Sequence, residues 1–134
     1  MLSKRTQYAF KALIYLAKKE EKTPVLISEI ADSQHIPLKF LENILLELRK
    51  AGILSSKKGK GGGYLLRRTA DSIKVAEIVR LMNGPIALLP CVSLHFYERC
   101  ENCNEAYCGL QRVMLEARDA TLHVLEGRTL RDML

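Results

Sequence analysis

Apolar residues recur at helical spacing from the start of the chain. Ala9, Ala12, Leu13 and Leu16 stand at i, i+3, i+4 and i+7; Phe10, Ile14 and Ala17 widen the stripe, and Lys11, Lys18 and Lys19 fall outside it. Ser3 is placed to cap this first helix. After Thr23-Pro24 the pattern predicts a short second helix, SEIADSQ, capped by Ser28. It ends near His35-Ile36, because Pro37 disfavours helical geometry in the residue before it. Pro37 then suits the first turn of a third helix, LKFLENILLELRKAG, with Leu38, Leu41, Ile44, Leu45 and Leu48 facing inward and Gly52 as its stop.

The rhythm then changes. ILSSKKGKGGGYLLRR reads as a strand (Ile53 to Ser56), a Gly/Lys tip and a return strand (Tyr64 to Arg67). Gly61, Gly62 and Gly63 give the backbone access to positive φ and allow close approach to a surface, and Lys57, Lys58, Lys60, Arg67 and Arg68 are expected to surround the tip with charge. GKGGG lacks the G-x-x-x-x-G-K-[ST] spacing of a nucleotide-cradling loop and runs into strand-like YLL instead of a helix. Two helices joined by a tight turn, followed by a cationic hairpin, fit a helix-turn-helix with a wing set against a phosphate backbone.

Beyond Thr69, Ser72 is expected to open IKVAEIVRLM, with Val75, Ile78, Val79 and Met82 inward and Asn83-Gly84-Pro85 closing it. A last helix is predicted from Gly109 to Glu126. Its apolar set sweeps about 220° of the circumference, where one core-facing stripe needs only about 100°. The surplus predicts a covering partner, most economically the same helix of a second copy, with Leu110, Val113, Met114, Ala117, Thr121 and Val124 at the seam. Gly127 ends this helix and Thr129 caps a terminal turn, TLRDML. The fold class expected is mainly α: a winged helix-turn-helix over 1–84, a cysteine-rich loop over 85–108, and a dimerisation helix with tail over 109–134.

At 134 residues the chain can bury one core with an appendage. The formal net charge is +6, but residues 1–68 hold 14 Lys/Arg against 6 Asp/Glu, and residues 69–134 hold 7 against 9. A polyanion would therefore settle on the first half. No apolar run approaches the roughly 18 residues of a membrane span, and the opening residues lack the layout of a signal peptide, so a cytoplasmic protein is expected. There is no dinucleotide fingerprint or hydrolytic constellation, so neither an enzyme nor a small-molecule substrate is predicted.

All four cysteines lie in CVSLHFYERCENCNEAYC, spaced Cys91-x8-Cys100-x2-Cys103-x4-Cys108. In a reducing compartment this points to metal binding or redox chemistry before disulfides. Four soft thiolates suit a tetrahedral zinc site or the protein ligands of a [2Fe–2S] or [4Fe–4S] cluster. Structural zinc more often uses two short knuckles, and only Cys100 and Cys103 form one here, which tilts the reading toward a cluster and leaves zinc and a bare thiol switch open. His95 reads as a loop histidine, and His35 and His123 converge on no site.

Helix, helix-turn-helix, glycine-rich wing, cysteine loop and long last helix follow in an order that resembles the Rrf-two family of bacterial winged-helix regulators. The stretches that carry the resemblance are TQYAFKALIYLA, IPLKFLENILLELRKAGILSSKKGKGGGYLL, IKVAEIVRLMNG and the Cys-Gly-Leu that opens the last helix. Together they cover essentially the whole chain. The resemblance implies a homodimer on double-stranded DNA, its third helix in the major groove and its wing at the adjacent minor groove, with a cluster beside the dimer helix tuning binding. Iron–sulfur members of the family pair three cysteines with a fourth, non-cysteine ligand. Here Gln111 and Gln7 stand where such ligands would sit, and glutamine is a poor iron ligand, so the extra thiol looks like the replacement.

Within that frame Lys39, Glu42 and Asn43 are expected to face bases, while Ser3, Lys4, Arg5, Ser28, Arg49 and the wing residues Lys57, Lys58, Lys60, Gly61, Gly62, Gly63 and Tyr64 hold phosphates. Two other classes use the same residues differently. A small iron–sulfur or thiol redox protein would need the cysteines and not the wing, and an adaptor with structural zinc would be indifferent to DNA.

Overall fold

The structure is a computed structural model, and it describes residues 1–19 and 22–134. Among the described residues five α-helices and one hairpin follow in order: α1 (Lys4–Ala17), α2 (Ile27–Gln34), α3 (Leu38–Lys50), β1 (Leu54–Lys57), β2 (Gly63–Leu66), α4 (Val75–Met82) and α5 (Gly109–Gly127). Short 3-10 turns sit at Ala70–Ser72, Pro90–Val92, Glu105–Tyr107 and Leu130–Met133.

One core holds α1, α3 and α4 together. Ala9, Ala12 and Leu13 of α1 meet Leu41, Leu45 and Leu48 of α3 and Ile78 of α4, all essentially without solvent exposure. α1 begins where Ser3 Oγ accepts from the Thr6 N–H at 3.1 Å. α2 ends at His35, whose left-handed backbone (φ 54) turns the chain into α3. Gly52, at φ +80, turns it out of α3 into β1.

Several local expectations shift. Leu26, not Ser28, stands at the N-cap of α2, and Ser28 lies exposed in its first turn. Pro37 is the residue before α3 instead of its first residue. Leu38 is turned outward at 45% exposure, because the stripe that packs on α1 begins one turn later, at Leu41. The strands run one residue off the expected bounds, with Leu54 opposite Leu66 and Lys57 opposite Gly63. Ser72 opens no helix: its hydroxyl donates back to the Thr69 carbonyl in a 3-10 turn, and α4 starts at Val75.

Two returns of the chain fix the periphery. Val25 and Tyr64 exchange backbone hydrogen bonds at 2.8 Å each, tying the wing to the segment ahead of α2. After α5 the chain folds back so that the Leu130 N–H donates to the Ile73 carbonyl and the Val75 N–H to the Arg128 carbonyl. Leu130 enters the core at 1% exposure, and Thr129 with Asp132 forms a capping box beside it. Glu126, at the end of α5, pairs with Arg80 at 2.6 Å and with Lys74 at 3.6 Å.

Candidate DNA-binding surface and thiol segment

α3 has two faces. Leu41, Ile44, Leu45 and Leu48 are buried, and the stripe on the opposite side carries Lys39, Asn43, Leu46 and Lys50, with Glu42 at its edge. Both flanks are tied down. Glu47 pairs with Arg5 of α1, and the Arg49 guanidinium donates to Ser56 Oγ of β1 at 3.2 Å. Phe40 packs edge-on against Tyr8, with ring centroids 5.7 Å apart. Lys39, Glu42 and Asn43 stand exposed.

The phosphate candidates divide accordingly. Lys4 is exposed at the start of α1, while Arg5 is engaged by Glu47. Ser3 caps α1, and its own N–H donates to Asn83 Oδ1 at 2.8 Å; Thr6 Oγ1 donates to the same oxygen at 3.2 Å. At the wing, Lys57, Lys58 and Lys60 are exposed around the tip. Arg67 and Arg68 are not there. They lie at the base of the hairpin, in a recess shared with Lys19, Lys22 and Arg131, and Arg68 pairs with Glu77 at 2.6 Å. The glycines serve the hairpin's own fold. A Cβ on Gly62 would sit 2.3 Å from the Lys57 carbonyl oxygen, and one on Gly63 would sit 2.2 Å from that of Val25. Around Gly61, at φ +74, the space is open.

The four cysteines are free thiols, Cys100 exposed and Cys91, Cys103 and Cys108 half-buried. Desolvation raises the Cys103 thiol above its ordinary pKa, and the neighbouring Cys108 and Cys100 thiols, by charge and hydrogen bonding, push it the same way. Cys108 caps α5, its Sγ accepting from the Gln111 N–H at 3.4 Å. Tyr97 is raised above its ordinary pKa chiefly by its hydrogen bond to Glu105 and by desolvation, with Cys91 a smaller influence. Among the described residues no group of three or more His, Cys, Asp or Glu side chains is arranged to grip a metal ion. The donor set suits a thiophilic metal in kind, since four soft sulfurs lie within 18 residues and Cys103 neighbours both Cys108 and Cys100. Arg118 of α5 donates to the Val92 carbonyl at 2.9 Å and so fastens the start of this segment to the helix that the segment also opens.

α5 contributes no fully buried side chain among the described residues. Leu110, Val113 and Val124 are more than half exposed, Met114 and Ala117 are half-buried, and Thr121 is exposed with its hydroxyl donating to the Ala117 carbonyl. Ala117 and Leu125 form one wall of an apolar groove of about 700 Å³ whose other walls include Phe10, Val79 and Ile86. Sequence reasoning gave Asn83 and Glu126 only as helix ends, without their partners, and did not find Glu47 or Leu46. Leu46 alone had a local signal, lying off the buried stripe at i+3 from Asn43.

A recognition helix with one polar face, a cationic hairpin at its side and a buttressing α1 define a winged helix-turn-helix regulator. The chain belongs to the Rrf2 family: the family model described as "Iron-dependent Transcriptional regulator" matches residues 2–134. An Rrf2-like HTH-type transcriptional regulator of Rhodobacter capsulatus is 40% identical over 138 residues, covering all of this chain and 92% of the relative. The HTH-type transcriptional regulator NsrR of Bacillus licheniformis is 32% identical over 133 residues, covering 99% of this chain and 91% of that one. The solved structure of CymR, described as the global cysteine regulator of B. subtilis, superposes with a TM-score of 0.79 at 31% identity, over 99% of this chain and 95% of CymR. These relatives are transcriptional regulators and not enzymes. No described helix is long and apolar enough to cross a membrane.

Proposed function

We propose that this Rrf2-family regulator is a cytoplasmic homodimer on double-stranded DNA whose promoter binding is tuned by an iron–sulfur cluster on Cys91, Cys100, Cys103 and Cys108. The observation that carries the reading is the gathering of Cys100, Cys103 and Cys108 at the start of α5, a helix latched at its other end to the DNA-binding core. When bound, the cluster supplies a charge and a ligand geometry that change with redox state and with small reactive ligands. The chain's own residues do the rest. Cys108 couples sulfur ligation to the first turn of α5, and Arg118 couples Val92, next to Cys91, to its middle. Lys39, Glu42 and Asn43 read bases, and Lys4, Ser28 and the wing lysines hold phosphates. Leu110, Val113, Met114, Ala117, Thr121 and Val124 face the second copy, and the groove between α1 and α5 receives part of it.

Anaerobic purification followed by visible absorption and iron, sulfide and zinc analysis tests the sensing half. Brown protein with matched iron and sulfide, and loss of both in Cys103→Ser, supports it. Zinc alone, or colourless metal-free protein that binds promoters unchanged, removes it. A second reading, a structural zinc or thiol switch, uses the same sulfurs, with Cys103 beside both Cys108 and Cys100.

A further inference from the structure

We propose that Leu46 is a specificity-determining residue, reading the C5-methyl group of a thymine in the major groove. The inference rests on the reading of α3 as the recognition helix and adds a residue to it. Leu46 is the one leucine of α3 on the stripe opposite the core. Lys39, Asn43, Leu46 and Lys50 recur at i, i+4, i+7 and i+11, a nearly straight line along the helix, and Leu46 is only half-buried.

The neighbours narrow what this stripe can do. Glu47 and Arg49 on its flanks are engaged by Arg5 and Ser56, and Phe40 by Tyr8, so they are drawn away from the groove floor. What remains on the stripe is two lysines, an asparagine and one branched apolar side chain, with Glu42 at its edge; Leu38 is also exposed, but it lies in the first turn and off this line. An amide fork suits adenine N6 and N7, and an apolar group suits the thymine methyl. Asn43 and Leu46 are three residues apart, about 4.5 Å of helix rise. That is close to one base-pair step, about 3.4 Å. The pair is thus spaced to read adenine and thymine in the same or adjacent base pairs. A leucine there has no hydrogen bond to offer, so its recognition is confined to a methyl group that cytosine and uracil lack.

The test uses the full chain and a duplex selected from a random-sequence pool by the wild-type protein. Each thymine is replaced in turn by deoxyuridine, which pairs identically and lacks the methyl, and affinity is read by fluorescence anisotropy. One thymine per half-site is expected to lose about threefold to fivefold on demethylation, the scale of one buried methylene. Leu46→Ala is expected to lose a similar factor on the thymine duplex and to be indifferent to deoxyuridine at that position, while Leu46→Met keeps the sensitivity. An unchanged deoxyuridine penalty in Leu46→Ala, or no sensitive thymine at all, overturns the proposal. If Asn43→Ala and Lys39→Ala shift the selected sequence while Leu46→Ala does not, only the leucine assignment fails. If none of the three shifts it, the recognition-helix reading fails as well.

Discussion

Asn83 joins two elements that are 80 residues apart in sequence, and its removal has a definite expected cost. The Oδ1 atom accepts from the Ser3 N–H at 2.8 Å and from Thr6 Oγ1 at 3.2 Å, at the opening of α1. Thr6 is fully buried, so its hydroxyl cannot turn to water, although Ser3 Oγ at 2.9 Å remains within reach. At about 1 kcal/mol net per hydrogen bond, Asn83→Ala should lose about 1 to 2 kcal/mol. For a chain of this size that corresponds to roughly 3 to 8 °C in Tm. Asn83→Asp separates the acceptor from the amide. It keeps the acceptor oxygen and places a negative charge at the positive end of α1, where the first turn has no acidic residue, but the same charge sits at the C-cap of α4. These dipole effects are each worth about 0.3 to 1 kcal/mol with opposite signs, so Asp should stay within about 0.5 kcal/mol of wild type. Urea and thermal unfolding followed by circular dichroism at fixed protein concentration measure both variants. An alanine variant as stable as wild type, or an aspartate variant as damaged as the alanine one, would refute the acceptor role.

Two further outcomes follow from the wing and from the end of α5. Gly63→Ala drives a Cβ to 2.2 Å from the Val25 carbonyl oxygen at φ +146, so it should detach the wing from Val25 and weaken DNA binding. Gly61→Ala, strained at φ +74 but in open space, should cost only about 1 kcal/mol of stability; equal losses of DNA affinity in the two variants would show that the Val25 contact is irrelevant. The hydrogen bond from Arg80, followed by the attraction of Arg80 and Lys74, holds the Glu126 carboxyl below its ordinary pKa of 4.5. Its stabilisation is therefore present above about pH 4.5 and lost as pH falls through the lower folded value. The side chain is 38% exposed, so Glu126→Gln should cost at most about 1 kcal/mol at pH 7 and flatten the acid limb of the stability profile; a wild-type acid limb in the variant counts against the pairing.

What the sequence disclosed was what repeats locally. The buried stripes of α1 and α3 recur every three or four residues, and both helices stand where that rhythm put them. The hairpin announced itself by alternation around a Gly/Lys tip, though each strand moved by one residue. Boundaries governed by distant partners were hidden. Ser72 has the chemistry of a cap, yet Ile73 and Val75 are claimed by the returning residues Leu130 and Arg128, and α4 starts only after that contact. Arg5 and Arg68 read as cations for phosphate, and nothing near them in sequence reveals Glu47 or Glu77 as their partners. Among the thiols, the short spacing of Cys100 and Cys103 was legible. The approach of Cys108 to Cys103 depends on the path of the loop.

The return of Leu130 to the core makes α5 a beam clamped at one end. At about 1.5 Å per residue its 19 residues span roughly 28 Å between the clamp and Cys108. A tilt of roughly 5° about the clamp would carry the sulfur end through more than about 2 Å, by the same arithmetic. Atomic rearrangements the size of one lost ligand bond are thus matched, through leverage, to a change in attitude of the whole beam, and every exposed leucine and valine along it would register the swing.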